Sequence, residues 1–252
     1  GVLPLLAPMS EVAGRMSIQA AASHLEKTQG GLGVLMAGVP GVSPAKIVIL
    51  GAGVVGRNAL QMAVGLGADV CIFDRDIERL RQIDMFYGNR VRTFYSDSLL
   101  IEQEVCEADV VIGAVLLPGG AAPKLVTREM MIKKMKAGAV VVDVAIDQGG
   151  CFETSELTTL SKPTFEKYGV SHYCVPNIPS LVSHTASLAM SNLITSFLLK
   201  AGKTGGVEEM LWQGKSFMKG VYCFKGHVTH PLVGKLNKKP VKDIQLLLLS
   251  KS

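Results

Sequence analysis

Gly51-Ala52-Gly53-Val54-Val55-Gly56 fits the pattern G-x-G-x-x-G, and an acid, Asp74, follows 18 residues beyond Gly56. That spacing is suited to holding a pyrophosphate. Gly51 makes the tight turn, Gly53 lets the backbone approach the phosphates, and Gly56 lets the following helix sit close on a sheet. A helix opening at Val54 and Val55 presents unpaired amides and the positive end of its dipole to the anion. Asp74 is placed to accept hydrogen bonds from ribose hydroxyls and to repel a 2′-phosphate, which favours NAD over NADP. Arg75, next to it, is of the type that accommodates that phosphate, so the two residues pull in opposite directions.

A second acid invites chemistry. Asp147 lies in Asp143-Val144-Ala145-Ile146-Asp147-Gln148-Gly149-Gly150, after an apolar run, at the end of a strand where open α/β sheets bind ligands. Such an aspartate can orient a nicotinamide ribose or serve in proton transfer. It can equally be a turn-forming residue ahead of Gly149. The pattern leaves both open.

Other reactive types carry less. His24 reads as a helix-surface residue, and His184, His227 and His230 fall outside the sheet. His227 and His230 are three apart but lack a carboxylate or Cys partner to complete a metal site. Cys71, Cys106, Cys151, Cys174 and Cys223 are irregularly spaced, with no C-x-x-C, and read as small core residues of a reducing compartment. No G-x-S-x-G elbow and no Walker A lysine is present, which takes most of the weight from hydrolase and P-loop ATPase readings.

The elements that must position these residues alternate. Lys46 to Leu50, Asp69 to Phe73, Val91 to Tyr95, Val110 to Leu116, Ala139 to Val144 and His172 to Val175 read as strands. Helices are expected over Val54 to Leu66, Ile77 to Phe86, Ile101 to Cys106 and residues 129 to 136. Short strands apolar on both faces, separated by helices, indicate a doubly wound α/β domain built on a parallel sheet. Ahead of it, Ser10 looks like the cap of a helix ending near Gly30, and residues 30 to 45 are a Gly- and Pro-rich loop. Beyond Pro179 the pattern changes to a Leu- and Met-rich helix over residues 186 to 201, a helix near Val207 to Trp212, and a basic end. The domains expected are 1–180, for dinucleotide binding, and 181–252, a hinge helix with part of a second, smaller domain.

Composition agrees. The 252 residues are 48% hydrophobic with a net charge of +5, enough for a sizeable core and too little clustered charge for nucleic acid, since only Lys235 to Lys242 is densely basic. No apolar run is long enough to cross a bilayer. The chain opens on Gly1 and an apolar stretch without a charged n-region, which reads as a beginning inside a structure and not as a signal peptide.

Longer blocks then resemble the alanine dehydrogenase and pyridine nucleotide transhydrogenase family. They are Ala7-Pro8-Met9-Ser10-Glu11-Val12-Ala13-Gly14-Arg15, Gly38-Val39-Pro40-Gly41-Val42, Gly113-Ala114-Val115-Leu116 with Pro118-Gly119, Ala122-Pro123-Lys124-Leu125-Val126 and Val142 to Gly150. The resemblance covers residues 1 to about 180 closely and the rest loosely. It implies interconversion of L-alanine with pyruvate and ammonia using NAD, by a cytoplasmic homo-oligomer, commonly a hexamer. It also implies that Ser10 contacts the pyrophosphate, Ser96 the adenine side, Val115 and Leu116 the nicotinamide flank, and Asn177 the nicotinamide and substrate cleft. Asp147 resembles the family's catalytic aspartate, managing protons as ammonia adds to the pyruvate carbonyl and water leaves.

Two departures bear on this expectation. Most of the substrate domain, with its arginine, lysine and histidine, precedes this region in the family and is expected to be missing ahead of Gly1. Residues Asn177 to Ala186 also differ from the family's Asn-Met-Pro-Gly-Ala-Val-Pro-Arg-Thr-Ser at Ile178, Ser180, Leu181, Ser183, His184 and Ala186. The alternatives are a non-catalytic NAD-binding remnant and the soluble NAD-binding component of a transhydrogenase. The latter is disfavoured by the Ile-Asp-Gln-Gly-Gly loop and the lack of a following membrane segment.

Overall fold

Alternate residues of β1 (Lys46–Leu50) bury on opposite faces: Ile47 and Ile49 join one apolar cluster, Val48 and Leu50 another. A strand that is apolar on both sides requires a helical layer against each. The computed structural model, which describes residues 5–116 and 120–249, supplies both layers. Against one face lie α1 (Ala7–His24), α2 (Val54–Gly65) and Ile83 of α3 (Ile77–Tyr87). Against the other lie α4 (Ser98–Cys106) and α5 (Arg128–Lys134).

The remaining strands are β2 (Asp69–Asp74), β3 (Val91–Tyr95), β4 (Val110–Gly113), β5 (Val140–Asp143), β6 (Thr164–Lys167) and β7 (Val170–Tyr173). Their order is β3-β2-β1-β4-β5-β7-β6. All pairings are parallel except β6 with β7. Leu50 stands opposite both Phe73 and Gly113, so the carboxyl ends of β2, β1 and β4 finish level. The order reverses between β1 and β4, the switch point where doubly wound sheets open a crevice. The doubly wound α/β expectation is therefore met.

Several boundaries move. Ser10 is not a cap: α1 begins at Ala7, with Pro8 in its first turn and no side-chain cap, and the Ser10 amide donates to the Leu6 carbonyl at 3.0 Å. α1 also stops at His24, before a 3-10 turn over Lys27–Gln29 that ends in left-handed Gly30. His24 is half-buried and meets Tyr173 edge to face, where a surface position was expected. β4 ends at Gly113 and not Leu116, and the last parallel strand is Val170–Tyr173, two residues earlier than the apolar run implied. β6 was not anticipated because its alternation, Thr-Phe-Glu-Lys, is that of a half-exposed edge. Pro118 and Gly119 lie outside the described residues.

The chain divides into two compact units, residues 1–187 and 188–252. α6 (Ser183–Thr204) leads into the second, which continues with α7 (Val207–Gln213), α8 (Lys215–Met218), a hairpin of β8 (Cys223–Phe224) and β9 (His227–Val228), α9 (Pro231–Asn237) and α10 (Ile244–Leu249). The hairpin turn uses Lys225 and Gly226, both at positive φ, as two-residue turns require. Met210, Leu211 and Leu248 are buried in this unit. Cys71, Cys151 and Cys174 are core residues, and burial pushes each thiol up to about 12. Cys223 departs from that expectation, lying exposed on β8.

One buried ionisable group ties stability to pH. His172 on β7 is fully buried, with Nε2 2.8 Å from the Thr154 hydroxyl, Nδ1 2.8 Å from the Val170 carbonyl, and Phe165 stacked on its ring. Burial pushes its pKa below the ordinary value of 6.5. The unfolded chain thus binds this proton more readily than the folded one, and the fold loses stability as pH falls below about 6.5. Urea midpoints measured between pH 8 and pH 5 should decline below that point, and His172→Phe should flatten the decline even though it also removes the Thr154 partner.

Candidate functional site

The turn from β1 into α2 is closed by glycines with separate tasks. Gly51 has a φ of +106°, a region that side chains avoid. A Cβ there would also sit 2.8 Å from the Ala114 carbonyl oxygen. Gly56 is more constrained: a Cβ would fall 1.7 Å from the Gly51 oxygen, so the first turn of α2 rests directly on the loop. Gly53 differs from both, because a Cβ there would meet nothing within 4 Å. It caps α2 without a side-chain hydrogen bond. The amides of Val54 and Val55, in the first turn, have no intrahelical acceptor. An open backbone approach, free amides and the positive helix end together fit an anionic group.

β2 delivers Asp74 beside this loop. Its side chain is 12% exposed. Oδ2 accepts the Ala52 amide at 2.6 Å, Oδ1 accepts the Asp76 amide at 2.8 Å, and Arg79 approaches Oδ2 at 3.6 Å. The carboxylate therefore fixes the glycine turn while keeping acceptor capacity for a ligand hydroxyl. The Ser96 amide donates to the Asp74 carbonyl at 3.0 Å, which brings the end of β3 to the same place.

α1 reaches the site through Gly14, where a Cβ would lie 2.2 Å from the Val55 carbonyl oxygen. Such close approach of α1 and α2 sets Ser10, one turn earlier, at the mouth of the glycine loop. Arg15 secures the crossing, donating to Asn58 Oδ1 at 3.0 Å and Gln61 Oε1 at 3.2 Å.

A cavity of about 690 Å³ results, lined by Ser10, Gly51, Gly53, Val54, Val55, Asp74, Ser96, Val115 and Leu116. These nine expected residues are thus brought together. Gly56 lies behind the wall, as its packing demands. Asp147 and Asn177 do not line this cavity; they stand farther along the same edge, after β5 and β7. Asp147 is exposed in a 3-10 turn, Ile146–Gln148, that ends in left-handed Gly149. Asn177 holds a left-handed φ of +53° at the start of the turn Ile178–Val182. In the divergent segment, Ile178 is 2% exposed and belongs to the apolar cluster under α1, whereas His184 is exposed on α6.

Sequence reasoning gave no role to Asp143, although it holds the Asp147 loop. Asp143 is fully buried, and its carboxylate accepts the Ala145 amide at 3.2 Å, the Cys151 amide at 2.9 Å and the Ser155 hydroxyl at 2.5 Å. Burial raises its pKa, and these donors act against that rise. Gly150 is obligatory beside it, since a Cβ would lie 2.3 Å from Oδ2. Lys124 closes the loop from outside, donating to the carbonyls of Gly149 at 2.5 Å and Phe152 at 3.0 Å. Asp143 ends an apolar run, and its distant partners leave no local signal.

The chain is similar to proteins of known kind. The profile described as Alanine dehydrogenase/PNT, C-terminal domain matches residues 17–231. Alanine dehydrogenase of Halomonas elongata is 50% identical over 233 residues, which cover 92% of this chain and 62% of that protein. Its counterpart in Bacillus subtilis is 50% identical over 234 residues, covering 92% and 61%. A solved structure of an L-alanine dehydrogenase superposes with a TM-score of 0.89 at 48% identity, over 94% of this chain and 65% of that one. The transhydrogenase from Sinorhizobium meliloti gives 0.68 at 29% identity, over 78% and 56%. The chain spans about three fifths of the length of the curated relatives it matches. With most of its residues matched by the profile, it belongs to the alanine dehydrogenase/PNT C-terminal-domain family.

Proposed function

We propose that this chain binds NAD(H) in the cavity at the β1–β4 switch point and carries it for the oxidation of L-alanine to pyruvate and ammonium, and for the reverse amination. Residues 1–180 serve as the dinucleotide domain and 181–252 as the hinge helix and C-terminal share of the substrate domain. The observation that carries the reading is the convergence of nine expected residues on one cavity beside an uncapped helix end. The similarity to alanine dehydrogenases supplies the substrate.

The site's residues divide the work. Gly53, Val54 and Val55 receive the pyrophosphate on backbone amides, with Ser10 alongside. Asp74 accepts from the adenosine ribose, Ser96 borders the adenine, and Val115 and Leu116 flank the nicotinamide. When bound there, a nicotinamide would supply the hydride-accepting chemistry that oxidation at the amino acid's α-carbon requires. Asp147 exchanges the proton as water adds and ammonium leaves, on a loop held by Asp143 and Lys124. Asn177 faces the substrate. Overall, L-alanine, NAD⁺ and water give pyruvate, ammonium, NADH and a proton. The protein works in the cytoplasm as a homo-oligomer.

Two measurements test this. The glycines separate architecture from binding: Gly56→Ala should lose about 1–3 kcal/mol of stability, whereas Gly53→Val should keep the melting temperature and weaken NADH at least tenfold, read by titration calorimetry. Second, NADH should be oxidised in the presence of pyruvate and ammonium, and Asp147→Asn should slow that rate about 100-fold or more with NADH affinity unchanged. Tight NADH binding without turnover would identify a binding module, and no NADH binding would end the reading.

A further inference from the structure

The roles above assign the phosphates to backbone amides and leave the arginines of the cavity wall, Arg57, Arg75 and Arg79, without a part. Arg57 lines the same cavity as Gly53, Val54 and Ser10, and it is exposed. It is the fourth residue of α2, and its amide makes that helix's first turn by donating to the Gly53 carbonyl at 3.0 Å. Side chains on a helix lean toward its amino end. A stem with that lean runs back over the first turn, toward the amides of Val54 and Val55, in keeping with the place of Arg57 in the cavity wall.

Two independent features mark this place. The first is the cap: α3 and α4, which follow the neighbouring strands, are capped by the carboxylates of Asp76 and Asp97, whereas α2 has no side-chain cap. The second is pairing. Arg15 is held by Asn58 and Gln61, Arg79 lies near Asp74 and Asp76, and Arg92 pairs with Glu104 and Asp69. Arg57 and Arg75 have no such partner among the described residues, and of the two only Arg57 stands on α2. A helix end with no side-chain cap and a guanidinium with no partner among the described residues share one wall of one cavity.

We propose that Arg57 is a pyrophosphate-binding residue, its guanidinium closing over phosphate oxygens whose other side rests on the α2 amides. This rests on the nucleotide reading of the cavity and adds to it a side-chain clamp. A guanidinium suits the task because its fork matches two oxygens of one phosphate, which an ammonium cannot do.

The test compares ADP-ribose with adenosine, which shares the adenine end but has no phosphate, by titration calorimetry on the full chain. Arg57→Ala should weaken ADP-ribose about tenfold, leave adenosine unchanged and leave the melting temperature unchanged. Arg57→Lys should fall between, and the deficit of Arg57→Ala should shrink in about 0.5 M salt. Unchanged affinity for ADP-ribose, or an equal loss for adenosine, overturns the clamp. Failure of the unaltered chain to bind ADP-ribose removes instead the nucleotide reading on which the clamp rests.

Discussion

The carbonyl of Gly51 and the α-carbon of Gly56 approach so closely that no other residue fits at position 56 without displacing the loop. Most of the site follows from that contact. It seats α2 on the end of β1, and this leaves the amides of Val54 and Val55 facing outward with nothing but a ligand or water to receive. It fixes the face of α2 against which Gly14 of α1 can nest, and Ser10 is carried to the cavity as a result. The Asp74 carboxylate reinforces the same turn from the β2 side by accepting the Ala52 amide. A residue that would bind a hydroxyl thus also holds the loop that would bind a phosphate, and the two halves of the site share one scaffold.

The working edge continues beyond the cavity with a different construction. At β1 the loop is shaped by residues that lack side chains, whereas at β5 it is shaped by one side chain, Asp143, gathering donors from residues 145, 151 and 155. Each solution suits its task. A bare backbone lets a large anion approach, while a buried carboxylate fixes an excursion of several residues so that Asp147 is presented at its tip. Lys124 adds a second restraint through two carbonyls of the same loop.

Much of this was legible in the sequence because it is local. Strand β1, the glycine turn, α2 and the end of β2 are contiguous and apolar on both faces, so period and spacing located Gly51, Gly53, Gly56 and Asp74 together. Ser10 was identified as a site residue through resemblance but misread as a cap, because a serine followed by a glutamate imitates one. Pro8, which suits a first helical turn, was the better signal. Asp143 was hidden for a different reason: its partners lie up to twelve residues away, and nothing in an apolar run says that its terminal acid will be buried. The small unit was hardest, since two-residue strands and short helices fall below the length at which periodicity speaks.

The antiparallel edge strand has a consequence for how the domain can change over time. Because β6 runs against β7, its carboxyl end points away from the row of loops at Gly51, Asp74, Ala114, Asp147 and Asn177. β7 is then the last strand on that side whose exit serves the ligand edge. The amino end of β6, Thr164, stands opposite Tyr173 at the ligand edge, so the turn at Tyr168 and Gly169, from β6 into β7, falls at the far edge of the sheet. Chain inserted at that turn extends the flank without entering the row of loops, which makes it a place where lineages can diversify at little risk to chemistry.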